Sequence, residues 1–266
     1  MFSYDGAVGG REGEEALDPI RVGAALGAAL VGSGGPLASA DRLCLACVEQ
    51  LDIDGAAVSL LDGGTTRGTF GSSGPLGRTL DELQFTFGEG PCLDAVRFGQ
   101  PVLVPDLESP EERRWPALLS SVRRAGVRAM FAMPVTVATS PVGALDLFHR
   151  RSGPLSPANL DGALIAAELA ALPLLEMISD AHNRGESVEG DPRPEIASIE
   201  RIEVNQATGM VMAQLGVDAA EALVRLRAYA SSRDQSVSEV SWAIIERRLR
   251  LDSDDKWGRP GSEPRP

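Results

Sequence analysis

The sequence predicts an α+β domain, an antiparallel sheet with flanking helices, followed by a small all-α unit of three helices. Three observations carry this. Two pairs of strand-like runs are joined by short turns, as hairpins require; helical spacing returns before, between and after them; and from residue 195 onward no strand pattern occurs. The length of 266 residues admits two modest domains.

Residues 1–17 are rich in Gly and Glu, and the tail 252–266 (DSDDKWGRPGSEPRP) is polar with Pro and Gly, so both ends are expected to be disordered. Leu43, Cys47 and Leu51 recur at helical spacing and predict an amphipathic helix over 38–51. GAAVSLLD (55–62) reads as a strand that turns through Gly63-Gly64 into TTRGTFGS, a hairpin. A variable segment, GPLGRTLDEL, precedes QFTFGEGPCLDAVRFGQPVLVPDL, where Pro91 starts a short helix that ends at Gly99 and a Val/Leu strand follows. RRWPALLSSVRRAG supplies another helix, and VRAMFAMPVTV with VGALDLFHR form a second hairpin about TSP. SPANLDGALIAAELAALPLLEMISDAHN is a long apolar-faced helix with Ser156 as N-cap and Pro157 at its first position, kinked at Pro173. RGESVEGDPRP (184–194) has two prolines that no helix or strand uses internally and reads as a linker. It divides an 18–183 domain from a 195–251 domain.

In the second domain Ile196, Ile199, Ile202, Met210, Val211 and Leu215 trace one helical face that stops at Gly216. Asp218 with Glu221, and Ser236 with Glu239, have the spacing of capping boxes and open two further helices, ALVRLRAYA and VSWAIIERRL.

Composition narrows the function. No run of about 18 uncharged apolar residues exists, so no membrane span is predicted. The acidic start lacks a secretory pattern, and three cysteines (Cys44, Cys47, Cys92) are an odd number that suits a reducing cytoplasm. Two histidines and three cysteines do not make a zinc constellation, and no phosphate loop or nucleophile elbow occurs, so neither metal nor cofactor is expected. The net charge of −13 repels nucleic acid on average. That repulsion is not evenly spread. Residues 195–250 hold seven Arg against eight acidic residues, which leaves −1 there and −12 elsewhere.

The order helix, hairpin, helical insert, strand, helix, hairpin, helix, with GEGPCLDA, QPVLVPDL and SPVGALDLF, resembles a GAF domain over about residues 20–183. The resemblance implies terminal helices on one sheet face, which often pair into dimers, and an insert covering a small-molecule pocket on the other. Phe85, Cys92, Trp115 and Phe131 are its candidate ligand-binding residues. Ala207, Gly209, Met210, Met212, Leu215, Gly216, Ala222, Leu226, Arg227, Ala230, Val240 and Ile244 match the pattern of an ANTAR domain, which the second domain resembles over nearly its whole length. ANTAR domains are RNA-binding antiterminator modules of bacterial regulators that recognise paired hairpin loops as dimers. Thr208 stands where many of them carry Lys or Arg.

Gly209 sharpens the expectation, because Gly costs roughly 1 kcal/mol in a helix interior unless the position must stay bare. Close helix packing is one reason for it, and an open surface is the other. Met210 and Met212 lie about 200° apart on a helix, so one of them is expected at the surface. Asn205, Gln206, Thr208, Gly209 and Met212 would then offer polar groups and apolar contact to unstacked bases, with Arg227 and Arg233 meeting phosphates. For Cys92 two other readings stand: a thiol activated at a helix N-terminus, enzymatic or redox-sensing, and a small buried hydrophobe. The combined reading is a non-enzymatic, cytoplasmic, homodimeric regulator of transcription antitermination. A GAF-like domain senses a small molecule or partner, and an ANTAR-like domain binds RNA rather than DNA. A dimeric scaffold that binds no RNA is the remaining alternative.

Overall fold

The computed structural model describes residues 18–62, 65–183 and 201–251. The ends expected to be disordered, the Gly63-Gly64 turn, the 184–194 linker, Ile196 and Ile199 lie outside the described residues. In the first domain the elements run α1 (Pro19–Ala29), α2 (Gly35–Gln50), β1 (Gly55–Asp62), β2 (Thr65–Ser72), α3 (Pro75–Phe87), α4 (Pro91–Phe98), β3 (Val102–Val104), α5 (Pro116–Arg124), β4 (Ala129–Val137), β5 (Ser140–His149) and α6 (Pro157–Asn183). Proline at the first or second position starts most of these helices, because its fixed φ suits the first turn and its missing N–H has no partner there anyway. Gly99, at φ 63°, closes α4 as expected. Helix α1 extends the sequence reading: Asp18 Oδ1 accepts from the Ile20 N–H at 3.0 Å and Pro19 follows it. The segment read as variable is α3, and α6 runs through Pro173 as one helix.

The five strands are ordered β2-β1-β5-β4-β3 with every neighbour antiparallel. Side chains of period two divide them between two cores. Ala56, Val58, Phe131, Met133, Leu145 and Leu147 face α1, α2 and α6, whereas Met130, Ala132 and Phe148 face the α3–α5 side together with Val102, Val104, Trp115 and Leu118. The sheet is therefore covered by a helical layer on each side.

The second domain is three helices, α7 (Ile202–Leu215), α8 (Ala219–Ser232) and α9 (Val237–Ile245). Gly216, at φ 68°, ends α7. Asp218 caps α8 through the Glu221 N–H at 2.8 Å, and Ser236 with Glu239 closes a reciprocal capping box on α9. Val204, Ala207, Val211, Leu226, Val240 and Ile244 form its core. One member of that core belongs to the other domain. Phe85 of α3 is 4% exposed and packs among these residues.

Candidate nucleic-acid interface

Asn205, Gln206, Gly209 and Ala213 are exposed on α7 and share one face by helical spacing. A Cβ added at Gly209 would meet nothing within 4 Å, so no neighbouring helix requires a glycine there. Other candidates are less available. The Thr208 hydroxyl donates to the Val204 carbonyl of its own helix at 2.7 Å, and Met212, like Met210, is half-buried against the helical core. Neither methionine stands free on the surface, because α7 touches its neighbours over a wide arc. Arg233 is exposed at the end of α8, its guanidinium 5.3 Å from the Tyr229 ring centroid.

Arg227 is elsewhere. It points from α8 into the seam between the domains, 5.0 Å from the centroid of the Phe85 ring, which Arg201 also approaches at 4.1 Å. Arg201 pairs with Asp81 at 2.7 Å and with Glu82 through its two terminal nitrogens, all three on or against α3, while its Nε is buried without a partner. Arg227 has no such anion. Its Nε is buried with no hydrogen-bond partner, and burial, with the Arg201 charge second, lowers its pKa. The seam is completed where the first turn of α9 meets α3: the Val237 N–H donates to Thr86 Oγ1 at 3.2 Å and the Ser238 N–H to Glu82 Oε1 at 3.3 Å. An exposed pair, Arg124–Asp234 at 2.7 Å, lies at the rim. Thus one candidate RNA residue and one candidate ligand residue, Arg227 and Phe85, meet each other.

The other candidate ligand residues are divided by the sheet. Cys92 and Trp115 lie on the α3–α5 side, but Phe131 faces the terminal helices, edge-on to His149 at 6.0 Å. Its parity in β4 puts it away from the side expected to hold a pocket. Trp115 is core, with its Nε1–H donating to Asp94 at 3.0 Å. Cys92 is wholly buried at the start of α4, and burial, followed by the nearby Asp146 and Asp81 charges, pushes its thiol well above the ordinary range. Desolvation outweighs the helix N-terminus expected to activate it. Cys44 and Cys47 are buried under α2, across the sheet, so no second thiol stands beside Cys92.

A polar network that the sequence reading missed links this interior to the seam. Gln84 of α3 donates through Nε2 to Asp146 of β5 at 2.8 Å and accepts the Cys92 N–H at 3.0 Å. Burial raises the Asp146 pKa to about 7. Asp81, next to Gln84 in space and paired with Arg201, also accepts from Thr69 at 2.8 Å. The network's signal in the sequence was Asp146, an aspartate in the apolar run LDLF. Among the described residues no His, Cys, Asp and Glu side chains are grouped to hold a metal ion, and no helix is long and apolar enough to cross a membrane.

A five-stranded sheet between helical layers, with a capped helical trio docked on its α3 side, defines an α+β domain carrying an all-α appendage. The chain belongs to the GAF domain family, whose model matches residues 38–173, and an ANTAR domain model matches residues 197–245. Solved structures similar to the chain include the GAF domain of a phosphoenolpyruvate-protein phosphotransferase from Coxiella burnetii, at 16% identity over 64% of this chain and 98% of that one, with a TM-score of 0.47. A free methionine-R-sulfoxide reductase from Neisseria meningitidis is similar at 18% identity over 65% of this chain and 95% of that one, with a TM-score of 0.45. No curated protein matches the chain.

Proposed function

We propose that this protein is a cytoplasmic, signal-responsive RNA-binding regulator that acts by transcription antitermination as a homodimer. Its ANTAR domain holds paired hairpin loops of a nascent transcript, and its GAF domain, sensing a ligand or a partner, sets whether it does so. The action is occupancy: binding energy favours one RNA fold over another with no covalent step. Asn205, Gln206 and Gly209 meet unstacked bases, and Arg233 and Arg227 meet phosphates.

The single observation that carries this reading is the open space around Gly209. A helix-weakening residue with no packing reason stands on a solvent face beside Asn205 and Gln206. A flat, small, polar surface admits a base face where a larger side chain would hold it off. The buried, unactivated Cys92 thiol leaves the enzymatic alternative without a nucleophile.

The test is a fluorescence-anisotropy titration of the full chain with tandem-hairpin RNAs over a salt series. Binding should weaken linearly in log salt, and Arg233→Ala should lower the slope by about one. A chain that ignores every tandem hairpin at low ionic strength refutes the proposal.

A further inference from the structure

We propose that α3 of the GAF domain occupies the surface through which Arg227 reaches RNA, so that docking of the two domains and full RNA binding exclude each other. The inference rests on the RNA reading above and assigns the element that withholds the site. Phe85 is the plug. It belongs to the first domain, yet it is buried in the core of the second and covers the Arg227 guanidinium. Arg227 is half-buried, and with its Nε out of water and the Phe85 ring beside the guanidinium it cannot offer a phosphate the paired N–H fork that includes Nε.

The contact is built to hold and also to be released. The Arg201 charge is paired with two carboxylates, Asp81 and Glu82, and the first-turn amides of α9 donate to Thr86 and Glu82. Arg227 differs in having no anion: its guanidinium is half-buried against Phe85 with the Arg201 charge nearby. Burying a charge without a partner is unfavourable, so a phosphate offers Arg227 what the seam lacks. RNA and α3 therefore compete for the same group.

The same helix also touches the interior of the GAF domain. Residues Asp81 and Gln84 bind Thr69, Asp146 and the Cys92 amide, while Glu82, Phe85 and Thr86 bind the helical domain. A ligand or partner that shifts α3 on the sheet shifts the plug with it. The differential contact that any effector needs is thus located on one helix of 13 residues.

The experiment compares RNA affinity and amide hydrogen exchange of residues 75–87 in full-length wild type, Arg201→Glu and Phe85→Ala. The first variant sets a carboxylate against Asp81 and Glu82; the second removes the plug without changing charge. Both should raise exchange in α3 and tighten RNA binding at least fivefold. For Arg201→Glu this gain runs against the two units of negative charge it adds, so it is not general electrostatics. Adding Arg227→Ala to either variant should abolish the gain. If exchange rises and all forms bind RNA equally well, the exclusion is wrong and the RNA reading stands. If exchange in α3 does not change in either variant, the seam is not the barrier and the proposal is overturned. If no form binds any hairpin, the RNA reading fails and takes this one with it.

Discussion

Asp146 should make the stability of the GAF domain fall as pH rises, and Asp146→Asn should remove that slope. The carboxyl is wholly buried on β5 with one oxygen held by Gln84 and the other without a partner. Burial, and after it the Asp81 charge, raises its pKa from 3.8 to about 7. Each tenfold change in proton affinity is about 1.4 kcal/mol, so the whole rise corresponds to about 4 kcal/mol. Well below pH 3.8 the folded and unfolded forms both hold the proton and no charge is buried. Between there and pH 7 the unfolded chain releases the proton first, which draws the equilibrium toward unfolding; above pH 7 both forms are charged and the loss is complete. Asparagine keeps an acceptor for Gln84 and never ionises. Urea unfolding followed by Trp115 fluorescence in a background carrying Trp242→Phe and Trp257→Phe, at steps from pH 4.5 to 8, measures the difference. The variant should gain steadily on the wild type, by most of that 4 kcal/mol at pH 8. Stability curves that run parallel for the two proteins would refute the assignment.

Two further outcomes follow from the geometry. Gly209→Ala should stabilise the helical domain by about 0.5–1 kcal/mol in thermal unfolding, since the added methyl meets nothing, and should weaken RNA binding in the same preparation. A loss of stability would mean that the position packs after all. None of the three cysteines should react with an aromatic disulfide in the native protein, because all are buried, and all should react once it is unfolded; rapid labelling of native Cys92 would reopen its redox reading.

Much of the fold was legible because its punctuation is local. Pro91, Gly99, Pro157, Gly216 and the Ser236–Glu239 box each mark a helix end through their own backbone chemistry, and β1, β2, β4 and β5 announce themselves as hairpins. Asp18-Pro19 carries the same kind of mark for α1, in a stretch whose small residues give only a weak apolar face. The shared exposed face of Asn205, Gln206 and Gly209 was legible because it depends on one helix. It was not legible where it depends on distant pairing. Arg201 meets Asp81 across 120 positions, and no periodicity relates them. Arg227 looks from its own helix like any surface guanidinium, and only Phe85 makes it otherwise. For Phe131 a single step of strand parity decided which side it faced.

The hydrogen bond from the Val237 amide to Thr86 spans 151 residues. The sheet against which α3 packs is complete only at His149, 88 residues before Val237 (237 − 149), which at roughly 5–20 residues per second leaves about 4–18 s of synthesis for it to form before α9 is made. The last helix therefore emerges to find its berth already standing. Under the proposed exclusion, a newly made molecule would start its life closed, and opening would be something that happens to it afterwards.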